Sequence, residues 1–415
     1  MKSHSIKRQA GAWGDQFQDS GRTALPPKHA VATTCAALVL WCWCAPLSWA
    51  DPPRVNVIKA PDRGTQPQAV VDNKDVIHLI YFSGKPAAGD LFYVRREPGK
   101  KDFSAPLRVN SQAGSVVAIG TIRGGQIALG KGGRIHVAWN GSGIAEPMNP
   151  AGGHPMLYAR LNDQGTAFEQ QRNVMQISNV LDGGGTVAAD SAGNVYVAWH
   201  AAKVGVKGEQ NRLVWVARSE DEGKTFADEI KANDRPTGAC GCCGMRAFAD
   251  SQGTINLFYR AATGGVGRDM ILLSSSDLAK TFKSTVVHKW RIDICPMSSE
   301  SFAEGPGGVY TAWDTDGQVY FAKIDAKKFS IAAPVPAPGA GKERKHPALA
   351  VNKDGEVLLA WTEGTAWQRG GALAWQVYDK AGQPTAQHGR VPDGIPVWGL
   401  ATVVAGKNGS FTIIH

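Results

Sequence analysis

Beyond residue 50 this 415-residue chain has no amphipathic helical segment and no apolar run long enough to cross a bilayer as a helix. That excludes helical bundles, βα-alternating folds and a helical membrane anchor in that region. Its basic residues form no aromatic-interleaved stripe, so nucleic acid is not an expected partner. The glycine clusters Gly183–Gly185 and Gly370-Gly371 are not followed by a helix and therefore build no phosphate cradle. Cysteine is scarce. Of seven, Cys35, Cys42 and Cys44 fall in the first 50 residues, leaving Cys240, Cys242, Cys243 and Cys295. Acidic residues are outnumbered, 36 against 45 Lys and Arg, for a formal charge of +9. Residues 1–50 hold five basic and two acidic residues, so the remainder carries about +6 (9 − 3). Its densest patches are Lys323, Lys327, Lys328 and Lys342, Arg344, Lys345. Such a surface is solvated and favours acidic partners.

What the chain has is a repeat, with 49 glycines and 23 prolines to punctuate it. A strand ending in an aromatic returns as Ile77–Tyr81, Ile135–Trp139, Val195–Trp199, Ile255–Tyr259, Val309–Trp313 and Val357–Trp361. A seventh copy, Phe411–Ile414, lacks the final aromatic. The aromatic ends are spaced by 58, 60, 60, 54 and 48 residues, the length of a four-stranded propeller blade. Turns such as Asp190-Ser-Ala-Gly193 and Asp250-Ser-Gln-Gly253 precede these strands, and small-residue apolar strands precede the turns. The expected fold is all-β, a β-propeller of four-stranded blades. Six units run from about 67 to 394, and a seventh pair of strands fills 398–415. Seven blades are expected, closed by strands from both termini with Arg54–Lys59 as the outer strand; six is the alternative.

The segment Ser219-Glu-Asp221-Glu-Gly223-Lys-Thr225-Phe226 recurs as Ser275-Ser-Asp277-Leu-Ala-Lys-Thr281-Phe282 and, weakened, as Leu161-Asn-Asp163-Gln-Gly165-Thr-Ala-Phe168. In a hairpin turn the Asp accepts bonds from local amides, Gly supplies positive φ and the Phe anchors the turn on a neighbouring sheet. The pattern resembles the Asp-box (BNR repeat) of the sialidase-like β-propellers, over nearly all of residues 51–415. Ser219, Asp221, Gly223, Thr225, Phe226, Asp277 and Asp163 are then structural residues on the outer rim of one face.

The opposite face collects the chemistry. Topology brings Cys240-Gly-Cys242-Cys243 and Cys295 to equivalent loops of successive blades. Two alternatives stay open for them. One is disulfides, in which adjacent Cys242 and Cys243 do not pair, so that one reaches Cys295 and the other Cys240 or nothing. The other is a copper or zinc site joined by His200 or His346. Asn140, His200, Arg260, Asp314 and Glu363 lie at the starts of loops on that face, with Arg246, Arg268 and Asp269 beside them. The resemblance implies a sialidase constellation, in which Arg246, Arg260 and Arg268 hold a sugar carboxylate and Asp269, Asp314 or Glu363 serves as acid or base. Against it, the family's Arg-Ile-Pro signature is absent near the first blade. A bracing role, with Arg260 and Arg268 paired to Asp269, is the alternative. The C-x-C-C motif, the Arg260…Arg268-Asp269 loop and Trp290-Arg-Ile-Asp-Ile-Cys295-Pro296 resemble a bacterial subgroup of exported sialidase-like propellers.

Residues 1–50 read as an N-terminal extension with an export signal. Lys28-His29 precedes the apolar run Ala30–Trp43, and Ser48-Trp-Ala50 offers a cleavage site. The expectation is a periplasmic or secreted propeller, 51–415, without a transmembrane anchor after cleavage. It binds an anionic small ligand, a carbohydrate, a metal or an envelope protein on a Cys/Arg-rich face. The alternatives are an exo-sialidase-type glycoside hydrolase and a copper or redox accessory protein.

Overall fold

The structure, a computed structural model, describes residues 54–415 apart from 234, 326–327 and 340–342. The expected export signal, Lys327 and Lys342 lie outside the described residues. The regular structure among the described residues is strand, apart from three single-turn 3-10 segments, and the strands form seven sheets. Blade 1 holds Thr65–Val71, Ile77–Lys85, Ala88–Arg96 and Leu107–Arg108, and blade 2 holds Gly125–Leu129, Ile135–Asn140, Met156–Arg160 and Arg172–Asn173. Blades 3 and 4 begin at Thr186–Ala189 and Met245–Ala249, blades 5 and 6 at Glu300–Gly305 and Arg344–Val351. The seven-bladed expectation holds.

Successive sheets bury their faces against each other through the apolar positions of the repeat. One buried cluster lies in each of the seven gaps, including the gap between the last blade and the first, where Val404 and Ile414 meet Leu79 and Tyr81. The strand-ending Trp139, Trp199 and Trp313 are fully buried in these gaps. Blade 7 has three strands, Thr402–Ala405, Phe411–Ile414 and Val55–Ile58. The N-terminal strand pairs with Phe411–Ile414 in parallel, where the third strand of the other blades is antiparallel. The direction follows from connectivity. This strand must deliver the chain to the face on which blade 1's innermost strand begins, so it runs the way a fourth strand does while occupying the third place.

In the turn after Leu213–Ser219, Ser219 Oγ donates to Asp221 Oδ1 (2.7 Å) and accepts from Gly223 N (2.8 Å). Asp221 also accepts from the Thr225 amide (2.9 Å) and hydroxyl (2.6 Å). Ser275, Asp277, Ala279 and Thr281 repeat this set at 2.7, 3.0, 3.0 and 2.6 Å. A Cβ on Gly223 would collide with Tyr158, on which Phe226 packs edge-on. The third copy is built differently. Leu161 replaces the serine and Ala167 the threonine, so Asn162 Oδ1 accepts from Thr166 N (2.9 Å) while Asp163 pairs with Arg134.

Thr281, its amide and Ser275 draw the Asp277 carboxyl down to about 2; at Asp221 burial is the largest single effect and pushes up, but the bonds from Thr225 and Ser219 together outweigh it and bring that carboxyl to about 2 as well. Asp221→Ala and Asp277→Ala should each cost about 1 kcal/mol in urea denaturation at pH 7, adding in the double variant because the turns belong to different blades. The carboxyls are depressed, so their contribution is present above pH ~4 and lost toward pH ~2; the gap to the wild type should close over that window.

Candidate functional site

The innermost strands all begin on one face, called the top, and surround a central channel. Its upper end is ringed by Gln68, Gln126, Thr186, Arg246, Ser299 and His346, around a cavity of about 140 Å³. Lower down, Val71, Leu129, Val187 and Val351 help line a wider space of about 500 Å³. Arg246 spans the top: Nε donates to Glu300 O (2.9 Å) and Nη2 to Gln68 Oε1 (2.7 Å), tying blade 4 to blades 5 and 1. Burial brings its guanidinium down to about 10, so it stays charged at neutral pH.

The loops entering blades 4 and 5 bring the four cysteines together. Cys242 and Cys295 form a disulfide with Cα atoms 6.2 Å apart. Cys240 and Cys243 are free and fully buried, their sulfurs 3.0 Å apart, and Cys240 Sγ lies 3.3 Å from Cys242 Sγ. Burial disfavours a thiolate at Cys243, but Cys240, Arg260 and Ser298 outweigh it and bring the thiol down to about 7. Cys240 is pushed far up, first by its bond to Cys243 and then by burial. Gly241 cannot be replaced without movement, because a Cβ there would collide with Arg212 and Asp182. Its amide donates to Glu209 Oε1 (3.1 Å), pinning the loop to blade 3.

Arg260 is the buried brace beneath this cluster, 1% exposed. Its Nε donates to Ser298 Oγ (2.6 Å), Nη1 to Arg268 O (2.7 Å), and Nη2 to the Asp314 carbonyl, while the Trp290 ring covers it at 5.0 Å. Ser298 Oγ in turn donates to Cys243 Sγ (3.3 Å). Arg268 pairs with Glu209 (2.9 Å), not with Asp269, whose carboxylate accepts from Trp290 N (2.9 Å). Bracing is therefore real but runs to different acceptors than the sequence suggested. The three arginines converge, and each is bound to protein groups.

The remaining candidates divide. Glu363 accepts from Trp361 Nε1 (3.0 Å) and Arg390 (2.9 Å) and faces Arg344 (3.4 Å), a structural network at the edge of blade 6. His346 sits on a bulge with φ +50°, its Nδ1 3.2 Å from Ser299 Oγ, and burial lowers it to about 3. His200 is held by its Nε2 against Cys243 O (3.1 Å) and is lowered to about 4 by burial and then by Arg212. The sulfurs that lie within 4.8 Å of one another are those of Cys240, Cys242 and Cys243; neither histidine is among them.

With this geometry in view, the chain can be set beside known proteins. No family model matches it, and no curated protein matches it. Its structural neighbours are sialidases and other β-propeller glycoside hydrolases and lyases at low identity. A Hadza microbial sialidase, Hz136, aligns at 13% identity over 80% of this chain and 74% of its own, with TM-score 0.47. The Trypanosoma rangeli sialidase in complex with the inhibitor DANA aligns at 13% over 75% of this chain, TM-score 0.49; this chain covers 54% of that protein. The Penicillium chrysogenum α-L-arabinanase complexed with arabinobiose aligns at 14% over 78% of this chain and 95% of its own, TM-score 0.49.

Sequence reasoning passed over Glu300. By strand register it occupies in blade 5 the place that Met245 holds in blade 4, each opposite the strand-ending aromatic. A charged residue at an apolar position of the repeat was the available signal. Both carboxyl oxygens of Glu300 are buried without a hydrogen-bond partner, and burial, with Cys243 next, raises its pKa well above the ordinary value. Asp314 nearby is raised to about 6, chiefly by burial, with Arg260 and Lys345 opposing. A raised carboxyl leaves the native state holding the extra proton. Its cost is absent below pH ~4, grows as pH rises toward 6 and is constant above. Asp314→Asn should therefore gain stability over the wild type between pH 4 and 7, on the order of 2–3 kcal/mol, read as the difference between their urea midpoints.

Proposed function

We propose that this chain is an exported binding protein whose working centre is the sulfur cluster of the top face, and that its ligand there is a soft metal ion, copper(I) or zinc. The observation that carries this reading is the convergence of three cysteine sulfurs within 4.8 Å, with Cys295 joined to one of them. A tetrahedral zinc with sulfurs at ~2.3 Å holds them ~3.8 Å apart, and thiolates select copper(I) and zinc over harder ions. The sulfurs at 3.0 and 3.3 Å need to move by less than ~1 Å to reach that spacing. Reduction of the disulfide completes a set of four donors, so the oxidised cluster is the closed form and the reduced cluster the receptive one. The brace of Arg260 and Ser298 supports a negative cluster at this point and leaves the sulfurs to the ligand.

Hydrolysis of an acidic sugar fits less well. It needs arginines free to take a carboxylate in a fork. Arg246 is instead committed to Gln68 and Glu300 and Arg260 to Ser298 and two carbonyls, while Arg268 gives Nη2 to Glu209 and keeps Nε and Nη1 buried without a partner. Asp314 and Glu300 are buried beneath the loops rather than presented to a ligand.

The test is to reduce the purified chain chemically under nitrogen, remove the reductant, and titrate copper(I) and zinc separately with elemental analysis of the product. One ion per chain is expected, and Cys243→Ser should lower its affinity at least about a hundredfold, since a first ligand costs no less than the outer groups that orient it. A reduced chain that takes up neither ion would overturn the reading. Turnover of a fluorogenic sialoside that Arg246→Ala abolishes would replace it with the hydrolase.

A further inference from the structure

We infer that the top face beside Cys295 is the docking surface for an acidic protein carrying a reduced dithiol, and that this partner opens the Cys242–Cys295 disulfide. The inference rests on the sulfur cluster being the working site, and it identifies what resets it.

Three observations point to a protein rather than a small thiol. The first is where apolar surface is exposed. Ile144, Met148, Ile177, Val180, Val204 and Ile294 are 46–63% exposed, and all lie on top-face loops. Of the turns of the opposite face, Asp72-Asn-Lys-Asp75, Asp250-Ser-Gln-Gly253 and Asn352-Lys-Asp-Gly355 are small or polar, while the turn after Met270–Ser275 exposes Leu278 (39%). Of the exposed top-face residues, Val204 and Ile294 lie on the loops nearest the cysteines: the loop after Val204 reaches the cysteine loop through Glu209, which accepts from Gly241 N (3.1 Å), and Ile294 adjoins Cys295. The loops also support one another: Ser178 pairs with Lys203 in a short ladder, Asn179 Nδ2 donates to Ala151 O, and Asn173 Nδ2 to Met148 O. Val180 is held at φ +58°, a conformation that costs a β-branched residue energy and that clusters at working surfaces.

The second observation is charge. Lys203, Lys207, Lys289 and Arg291 are exposed around the cysteine loop, against Asp293, and none of these four basic groups forms an ion pair among the described residues. A basic field at the rim accelerates and orients the encounter with an acidic partner. The third is access. Cys295 is exposed next to Ile294, Cys242 is half-buried, and Cys240 and Cys243 are sealed. Of the two disulfide partners, Cys295 is therefore the one more open to an external thiolate.

The exchange balances. A partner thiolate attacks Cys295 Sγ, a partner–Cys295 disulfide forms, and Cys242 leaves as a thiolate. The partner's second thiolate attacks its own sulfur in that mixed disulfide and releases Cys295. The partner ends as a disulfide, having supplied two electrons, and its two thiol protons are taken up by Cys242 and Cys295.

The experiment compares reduced thioredoxin, as the protein dithiol, with dithiothreitol at equal dithiol concentration. Opening of Cys242–Cys295 in the full chain is followed by alkylation and mass. Thioredoxin should be faster by at least about tenfold at low salt and lose most of that advantage in ~0.5 M salt. Val204→Ser and Ile294→Ser should remove the advantage while leaving the dithiothreitol rate unchanged. Equal rates for the two reductants, or surface variants without effect on thioredoxin, overturn the inference. If docking fails while the chemically reduced chain still binds metal, the sulfur-cluster reading survives without it. If docking succeeds and the reduced chain binds no metal, the surface stands and the metal falls.

Discussion

Everything in this structure depends on the strand pairing that closes the ring. An open stack of sheets would leave an unpaired edge and two unburied faces at its ends. Here Val55–Ile58 pairs with Phe411–Ile414, and Phe411 N, Ala60 N and His415 N each bond a carbonyl of the opposite terminus at 2.7, 2.7 and 3.0 Å. Arg54 adds a partly exposed ion pair to Glu356 in blade 6 at 3.0 Å. Such a pair contributes little on its own. The ladder and the apolar gap beneath it do most of the work, because they turn the last blade into a neighbour of the first. Once the ring is closed, every innermost strand starts on the same face, and loops distant in sequence share one rim.

That convergence makes the buried charge at the top affordable to the fold. Arg260 is taken out of water almost completely, and an unpaired guanidinium there would cost several kcal/mol. Its donors are satisfied by Ser298, by the carbonyls of Arg268 and Asp314, and by the face of Trp290, all from loops that the ring has already positioned. The same residue then holds the floor under Cys243 through Ser298. Structural and chemical roles thus meet in one side chain. The cost appears elsewhere, in Glu300 and Asp314, whose carboxyls are raised by the same burial that makes the brace strong.

The architecture was largely legible because it is periodic. Strand-ending aromatics, hairpin turns and small-residue inner strands each have a sequence signature that recurs in phase, and the missing strand of blade 7 followed from counting. The innermost strand of blade 5 was not legible, since Glu300-Ser-Phe-Ala-Glu304 breaks the apolar pattern. The parallel sense of the closing strand was hidden for another reason: pairing direction depends on which face the chain must reach, and no local residue encodes it. In the site, the cysteines and arginines were found because topology alone places their loops together. Their partners were not. Glu209 takes Arg268, and Asn162 replaces Asp163 in its turn, because side-chain pairing is decided over a few ångströms that sequence spacing does not resolve.

The sulfur cluster also explains why the top face is built in two textures. A reduced cysteine pair persists where it is dry, since exposed thiolates exchange and oxidise. Cys240 and Cys243 are fully buried, and Gly241 lets their loop lie flat against Arg212 and Asp182. A sealed cluster has no chemistry unless one of its members reaches the surface, and Cys295 does so from the adjacent blade. The disulfide is therefore the link between a buried pair and solvent, and the loop that carries Cys295 has to tolerate exposure of Ile294 beside it. That exposure is uncompensated in the isolated chain, whereas contact with a partner would bury it beside the exposed sulfur.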